Sequence, residues 1–576
     1  MTNDVEAVSD VSVTSAAGRT RWWQGKPWLS SAALPVTLAV ATVALFLCYL
    51  QVSRTQRGEA DGASISLQAW DMLHGNLLLH GWTGADVSFY TTELPEYMLV
   101  EAVRGLNADV VHVAAALSYA LLVLFAALLA KGRATGREGL LRMVIAAGIL
   151  LAPEPGPGVF IVLFQPDHIG TGVPLLVTWL VLDRMPRRWY LPVVMGVLLT
   201  WIGVADGVIL FTGAAPLALV CGFRAFQRIA RRHEPVRSAW LELSLAAAAV
   251  ISVPASDIIV RLISTLGGYT MLPLSTQMTT LSGVLPHVRL ATDGVLGMYG
   301  ASFQGHPTGI VAVFAALHVV GIVLAAWALW RVARRFFGCD DLIAQLLAAG
   351  IVVNLAAYLV SAKPAGYWST REFAAILPMG AVLAGRVLAG PLLARRASAA
   401  EPASTEPAST EQASLAGRVR TLAAASALPV LGLVLAGYVA ALAYAVTLPS
   451  VPSATQNLAD WLLAHHATDG LTSFGLSTYQ ESNITTQSAG GVAGLRPMVA
   501  AGGGLSPGDH EYKTAWYDPR TEDMNFVVLS TEDTSLAEGT VQSAFGTPAR
   551  VIHLGQYTIM VWNKNLLAEL GPPAPE

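Results

Sequence analysis

The sequence predicts a polytopic α-helical membrane protein with about eleven transmembrane helices and a C-terminal extracytoplasmic α/β domain, and three observations carry that reading. Of the 576 residues, 54% are hydrophobic and only 13% charged, at a mean hydropathy of +0.53; a soluble chain carries about a quarter charged residues. Apolar runs long enough for a hydrocarbon core of about 30 Å recur along the chain. From about Pro449 that character is lost, and the mixed periodicities of a packed domain replace it.

Residues 1–30 read as a cytoplasmic tail whose Arg19, Arg21 and Lys26 precede the first apolar run, 31–52. That run reads as an uncleaved anchor. It is long for a signal core, and Leu50-Gln51-Val52-Ser53-Arg54 lacks a small-x-small cleavage pattern. Further runs follow at 107–130, 139–153, 169–183, 190–204, 206–223, 238–255, 308–330, 342–361, 373–392 and 421–447, giving a transmembrane domain over 31–447. Lys131, Arg133, Arg137 and Arg142 follow the second run, Arg184, Arg187 and Arg188 the fourth, and Arg224, Arg228, Arg231, Arg232 and Arg237 the sixth. Arg331, Arg334 and Arg335 follow the eighth, and Arg395, Arg396, Arg418 and Arg420 lie between the tenth and eleventh. Every alternate loop is therefore basic. Short basic loops stay on the cytoplasmic side, so the chain is expected in the plasma (inner) membrane with its N-terminus inside and residues 448–576 outside.

Within this frame, 397–416 reads as a cytoplasmic low-complexity linker, because Glu401–Ser414 repeats a Pro-Ala-Ser-Thr-Glu unit with no apolar face. Residues 256–308 read as a long outer loop carrying Arg261 and Arg289. In the C-terminal domain, Leu458, Trp461 and Leu462 have helical spacing, 525–529 reads as a buried strand, and 550–562 as a hairpin about Gly555-Gln556. Gly502-Gly503-Gly504 lacks the Lys-Ser/Thr of a phosphate loop. His465-His466 reads as a helix terminus. Cys48, Cys221 and Cys339 form no disulfide or zinc pattern. A net charge of -4 offers no basic footprint for nucleic acid.

The first outer loop, 53–106, is the most informative stretch. It is aromatic-rich and holds Glu59, Asp61, Asp71, Asp86, Glu93, Glu96 and Glu101. Leu67, Trp70, Leu73, Leu77 and Leu78 recur at helical spacing, which predicts a helix in the membrane interface. Asp206, inside an apolar run, is expected to pair within the bundle or to mark a turn.

Several of these stretches together resemble the GT-C superfamily of membrane glycosyltransferases, of the protein mannosyltransferase, aminoarabinose transferase and arabinofuranosyltransferase type; an actinobacterial source is part of that expectation. An acid soon after the first helix, Asp61-Gly62-Ala63, precedes an Ala-x-x-Leu-x-x-Gly-like run at 69–75. Residues 93–106 are similar to the Pro-Pro-Leu-Tyr segment and Phe-Gly turn before the second helix, with Glu93-Leu94-Pro95-Glu96 in place of the double proline and Gly62 where a second acid often stands. Gln165-Pro166-Asp167-His168 resembles a second acidic site, and Tyr367–Phe373 followed by Pro378 resembles an Arg-Tyr-x-x-Pro helix start.

The resemblance implies an inverting transfer of a hexosyl or pentosyl group from a polyprenyl-phosphate sugar to an extracytoplasmic acceptor, which is an envelope glycan, a lipid or a protein. On that expectation Asp61 is the general base and Asp167 the second catalytic acid. Arg371, His168 and Lys363 meet the donor phosphate, where a divalent metal could also serve. Asp71, Glu93 and Glu96 are acceptor or loop candidates. Each residue also has a plainer reading. Asp61 and Asp167 fit helix caps, Asp71 the polar face of the interfacial helix, Glu93 and Glu96 loop surface, and Arg371 and Lys363 headgroup anchors. A flippase of lipid-linked saccharide and a noncatalytic envelope-glycan-binding protein are the competing functions. Paired broken helices in repeated halves would favour transport, and no such repeat is visible in the sequence.

Overall fold

The computed structural model describes residues 27–272, 277–305, 308–400, 411–466, 468, 470–501, 503–508 and 510–572. Residues 1–26 of the tail and 401–410 of the repeat-bearing linker lie outside them. In chain order the elements are α1 Pro27–Ser53, α2 Ala60–Leu73, β1 Trp82–Thr83, α3 Glu93–Arg104, α4 Asp109–Lys131, α5 Gly136–Leu150, α6 Pro157–Val162, α7 Asp167–Arg184, α8 Tyr190–Ala205, α9 Ala215–Phe226, α10 Trp240–Thr265, α11 Leu281–Met298, α12 Ile310–Arg334, α13 Leu342–Val360, α14 Ile376–Ala400 and α15 Glu411–Val446. The C-terminal domain adds α16 Gln456–His465, β2 Phe474–Ser477, α17 Tyr479–Ser488, β3 Gly494–Ala501, β4 Gly504–Pro507, β5 Tyr512–Lys513, β6 Met524–Ser530, α18 Glu538–Phe545, β7 Arg550–Leu554 and β8 Tyr557–Val561.

All eleven apolar runs are helical. Among the described residues, eight helices are long and apolar enough to cross a membrane, and α8 is a shorter apolar helix. The other two runs form α5, of 15 residues, and α7, which carries charge at both ends. The expected loop 256–308 is corrected, because α10 continues to Thr265 and α11 fills 281–298. Pro286, His287, Arg289 and Asp293 hid α11 from a search for apolar runs. The helix expected in the membrane interface corresponds to α2, which begins earlier than its leucine spacing suggested and stops at Leu73, before Leu77 and Leu78.

The bundle closes around α4, which packs against α1, α5, α7 and α14. Its inner positions include Ala114, Ala116, Ala120, Ala126 and Ala130, all essentially buried; small side chains let neighbouring backbones approach where lipid supplies no hydrophobic drive between helices. At one end of the bundle Arg386 lies between Asp183 and Asp341, at 3.2 and 2.9 Å. The loops that precede α2, α7 and α14 lie at the other end, beside the C-terminal domain.

That domain is built on a six-stranded sheet of order β4-β3-β2-β6-β8-β7. β2 is parallel to β3 and β6, and the remaining pairs are antiparallel. Alternate residues of β6 face opposite layers: Phe526 and Val528 pack with Leu458 and Leu462 of α16, while Val527 and Leu529 pack with Val541 and Phe545 of α18. The hairpin predicted at Gly555-Gln556 forms, with His553 opposite Thr558 and Gly555 at φ +59°. Two contacts seat the domain on the first loop. β1 pairs with β5, Trp82 opposite Lys513, and α17 packs along α2.

Candidate active site

A cavity of about 440 Å³ opens where α2, the 85–89 segment, the start of α7, the 363–372 turn and the domain segment His510-Glu511 meet. It is lined by Asp61, Asp86, Gln165, Asp167, His168, Lys363, Trp368, Arg371, Glu372 and Glu511 among others. The local sequence explains how each part arrives there. α2 can press against α4 and the 163–166 turn because residue 62 is glycine. A Cβ there would stand 2.7 Å from the Gln165 amide oxygen and 2.9 Å from Val111, so glycine at this position is what admits the approach. The 3₁₀ turn Tyr367–Phe373 is set by α11, whose Gly294 and Gly297 leave room for Thr370 and for the Tyr367 hydroxyl.

Arg371 is the centre of the charge arrangement. Only 7% exposed, it faces three carboxylates: Asp167 at 3.1 Å, Asp61 at 3.7 Å and Glu59 at 3.9 Å. Its guanidinium also lies 5.4 Å from the Phe160 ring centroid. This is not the snorkelling geometry of a headgroup anchor. Asp61 sits in the first turn of α2 and does not cap it; its Oδ1 accepts a 3.0 Å hydrogen bond from the Tyr479 hydroxyl. Asp167 is the first residue of α7, after Pro166 at the cap position, and its φ of +27° is a conformation few L-residues adopt. Phe89 and Glu511, also cavity residues, have φ of +49° and +52°. Backbone strain of this kind persists where surrounding contacts over-determine it, which happens most at functional sites.

A second network lies beside Arg371. His168 directs Nδ1 to Asp206 at 2.9 Å, and its Nε2 lies 3.6 Å from Glu372. Asp206 also accepts from Thr171, and its other oxygen takes the Val208 amide, so it both pairs within the bundle and forms the turn after α8. Lys363 is ion-paired with Asp86 and 4.0 Å from Glu372. Burial works to raise Glu372, but His168 and Lys363 outweigh it and hold the carboxyl below its ordinary range. Glu59 goes the other way: burial pushes it up to about 7 against the opposing pull of Arg371.

Five of the eight residues singled out from sequence, Asp61, Asp167, His168, Lys363 and Arg371, therefore share one cavity. Three do not. Asp71 instead accepts from Lys513 at 3.0 Å and from the Trp82 indole at 2.8 Å, tying the first loop to the C-terminal domain. Glu93 and Glu96 are corrected from loop surface to helix: both lie on α3, turned inward. Glu93, 1% exposed, lies 3.3 Å from the Thr171 hydroxyl that Asp206 accepts, and Glu96 accepts from Ser118 at 2.6 Å. Burial pushes Glu96 up to about 7 and Glu93 well above its ordinary value.

Asp86, Glu372 and Gln165 were missed as site residues although Glu372 and Gln165 stand within motifs and Asp86 among the acids of the first outer loop. Tyr479 and Glu511 carry no local signal, being brought in by the seating of the domain. Among the described residues, no three His, Cys, Asp or Glu side chains converge in a way that could hold a metal ion. The cavity acids are instead met by Arg371, Lys363 and His168.

No protein-family model and no curated protein matches the sequence. Solved structures do match. ArnT from Cupriavidus metallidurans in the apo state aligns over 94% of this chain and 100% of its own, at 14% identity and TM-score 0.55. The same protein bound to undecaprenyl phosphate aligns over 93% and 99%, at 13% identity and TM-score 0.53. The apo oligosaccharyltransferase of Archaeoglobus fulgidus aligns over 89% of this chain and 70% of its own, at 14% identity and TM-score 0.48.

Proposed function

The chain has the GT-C fold of ArnT, and on that fold we propose that it is a membrane glycosyltransferase that moves a sugar from a polyprenyl-phosphate donor to an acceptor hydroxyl at the face carrying the C-terminal domain. One observation supports this most: Asp61, Asp167 and Arg371 converge on a single cavity of about 440 Å³ at the domain end of the bundle. That ArnT binds undecaprenyl phosphate agrees in donor chemistry. The basic alternate loops support an extracytoplasmic site in the plasma membrane.

The charges suggest an order of events. Before the donor arrives, Arg371 is shared among Asp167, Asp61 and Glu59, and Asp61 is held 0.6 Å more loosely than Asp167 (3.7 against 3.1 Å). An incoming phosphate competes for the guanidinium, which recognises its oxygens through paired donors. Asp61, with Glu59 at 3.9 Å, is released before Asp167. Freed, it takes the proton of the acceptor hydroxyl as that oxygen bonds to the anomeric carbon, while the electron pair of the breaking C–O bond leaves with the lipid phosphate. Arg371, with Lys363 and His168 nearby, offsets the charge gathering on the leaving phosphate. Attack opposite the leaving group inverts the anomeric carbon. The acceptor is an envelope glycan, lipid or protein.

The test is direct. Purified protein in lipid nanodiscs is given undecaprenyl-phosphate-linked pentose or hexose, radiolabelled in the sugar, with extracted envelope acceptors. A new glycosidic bond is expected, and Asp61→Asn should lower the rate by about a thousandfold, in the range for loss of a general base, with unchanged insertion and monodispersity. Wild-type rates in Asp61→Asn would remove Asp61 as the base. Translocation of intact lipid-linked sugar without bond formation would replace a transferase by a flippase.

A further inference from the structure

The C-terminal domain contributes side chains to the cavity as well as walls. α17 begins at Tyr479, directly after β2, and packs along α2, which places the Tyr479 hydroxyl 3.0 Å from Asp61 Oδ1. The same phenol is hydrogen-bonded to Glu511 Oε2. We infer that Tyr479 is the positioning residue for Asp61, itself held by Glu511, so that the base is correctly aimed only when the C-terminal domain is seated. The inference rests on Asp61 being the base.

A phenol has one hydrogen, and two ionised carboxylates cannot both accept it. One of the two acids must hold a proton, and depth decides which. Glu511 is 5% exposed, whereas the Asp61 side chain is 43% exposed toward the cavity. Burial first, then the neighbouring Asp61, pushes Glu511 up to about 8. At neutral pH Glu511 therefore donates its proton to the phenol oxygen, and the phenol donates to Asp61 Oδ1. That leaves Oδ2, the oxygen nearest Arg371, to receive the acceptor's proton.

The groups facing this relay are few. Asp61 and Ser64 come from α2, Tyr269 from the α10–α11 connection, and Tyr479 and Asn483 from α17; the Asn483 amide holds the Glu511 carbonyl at 3.1 Å. His510, adjacent in sequence, packs its ring 4.3 Å from that of Tyr479. Beyond Asp61 lie Arg371 and Glu59. The backbone at Glu511 has φ +52°, so the seating of β5 beside β1 holds this carboxyl in place at some conformational cost.

The sign of the pH effect follows. Below about pH 8 Glu511 is protonated and the relay is ordered; above it both carboxylates compete for one hydrogen and Asp61 loses its fixed oxygen. With the undecaprenyl-phosphate pentose or hexose that supports transfer, wild-type kcat should fall on the alkaline side with an apparent pKa of about 8. Glu511→Gln should lose that limb, because its amide N–H donates to the phenol at any pH; its rate, whatever its level at pH 7, stays flat as pH rises. Tyr479→Phe should lower kcat about tenfold to a hundredfold with donor KM unchanged, the pattern for an interaction that matters only in the transition state. An infrared titration needs no donor: the difference between wild type and Glu511→Gln should isolate a protonated carboxyl band that vanishes with a midpoint of about 8, since the bands of Glu59, Glu96 and Glu101 are common to both proteins. If Tyr479→Phe is not monodisperse, Glu511→Gln and the infrared band decide. An inactive Asp61→Asn alongside wild-type kcat in Tyr479→Phe, or an alkaline limb that persists in Glu511→Gln with an infrared titration identical to wild type, overturns this inference alone. An active Asp61→Asn overturns the assignment of the base on which it rests.

Discussion

At the scale of single residues, Arg371 is the position on which the cavity depends most. One guanidinium offsets three carboxylates, and its removal would leave Asp167, whose side chain is 14% exposed, with only the more distant His168 Nε2 at 3.8 Å. Arg371→Gln should therefore lower kcat/KM for the lipid donor by at least about a hundredfold, the scale of losing one oriented donor at a developing charge. Arg371→Lys should recover only part, because an ammonium cannot span Asp61 and Asp167 as a planar fork does. Steady-state transfer with varied undecaprenyl-phosphate sugar measures both, and an unaltered kcat/KM in Arg371→Gln would remove Arg371 from the phosphate site. Residues of this kind were legible because each stands at the mouth of an apolar run: Asp61 after the first, Asp167 before the fourth, Arg371 before the tenth. Tyr479 was not legible. It meets Asp61 across 418 positions, and nothing in the Thr478-Tyr479-Gln480 sequence distinguishes it from a core tyrosine.

At the scale of elements, the helices declared themselves by apolar length, whereas α11 was lost because its polar residues share a helix with glycines that pack under the 367–373 turn. α2 was placed too late for a related reason. Its first turn is buried by small residues, Ala60, Gly62, Ala63 and Ser64, which a search for leucine spacing passes over. The two-residue β1–β5 ribbon could not be read from sequence, since its partners are 430 positions apart (Trp82 with Lys513, 431; Thr83 with Tyr512, 429). Its stability is nonetheless attributable. Lys513 reaches both oxygens of Asp71, at 3.1 and 3.0 Å, and Asp71 in turn holds the Trp82 indole. Both ion-pair partners are about a quarter exposed, so a double-mutant cycle of Asp71→Asn with Lys513→Met should return a coupling of about 1 kcal/mol. Hydrogen exchange of the ribbon amides should quicken by about fivefold in either single variant, the factor that corresponds to 1 kcal/mol. Unchanged exchange would mean that α17 on α2 seats the domain without the ribbon.

At the scale of the whole molecule, the two ends of the bundle differ in what their charges do. At the end away from the C-terminal domain, Arg386 is neutralised by Asp183 and Asp341, Arg142 by Glu138, and Arg228 by Glu234 and Glu242, while Arg231 and Arg232 remain exposed at the end of the π-helical turn that extends α9. At the domain end, the cavity acids gather around Arg371, Lys363 and His168. A chain inserted by the basic-loop rule keeps the arginine-rich end in the cytoplasm, which would place the cavity and the sheet domain together outside. That orientation is measurable with two positions at opposite ends, both exposed: His553 on β7 and Arg232 after α9. With Cys48, Cys221 and Cys339 replaced by alanine, His553→Cys should react with a membrane-impermeant maleimide in intact cells, and Arg232→Cys only after permeabilisation. The reverse pattern would place the cavity on the cytoplasmic side. A donor assembled in the cytoplasm would then reach it without crossing the membrane, and acceptors outside the cell would be out of reach.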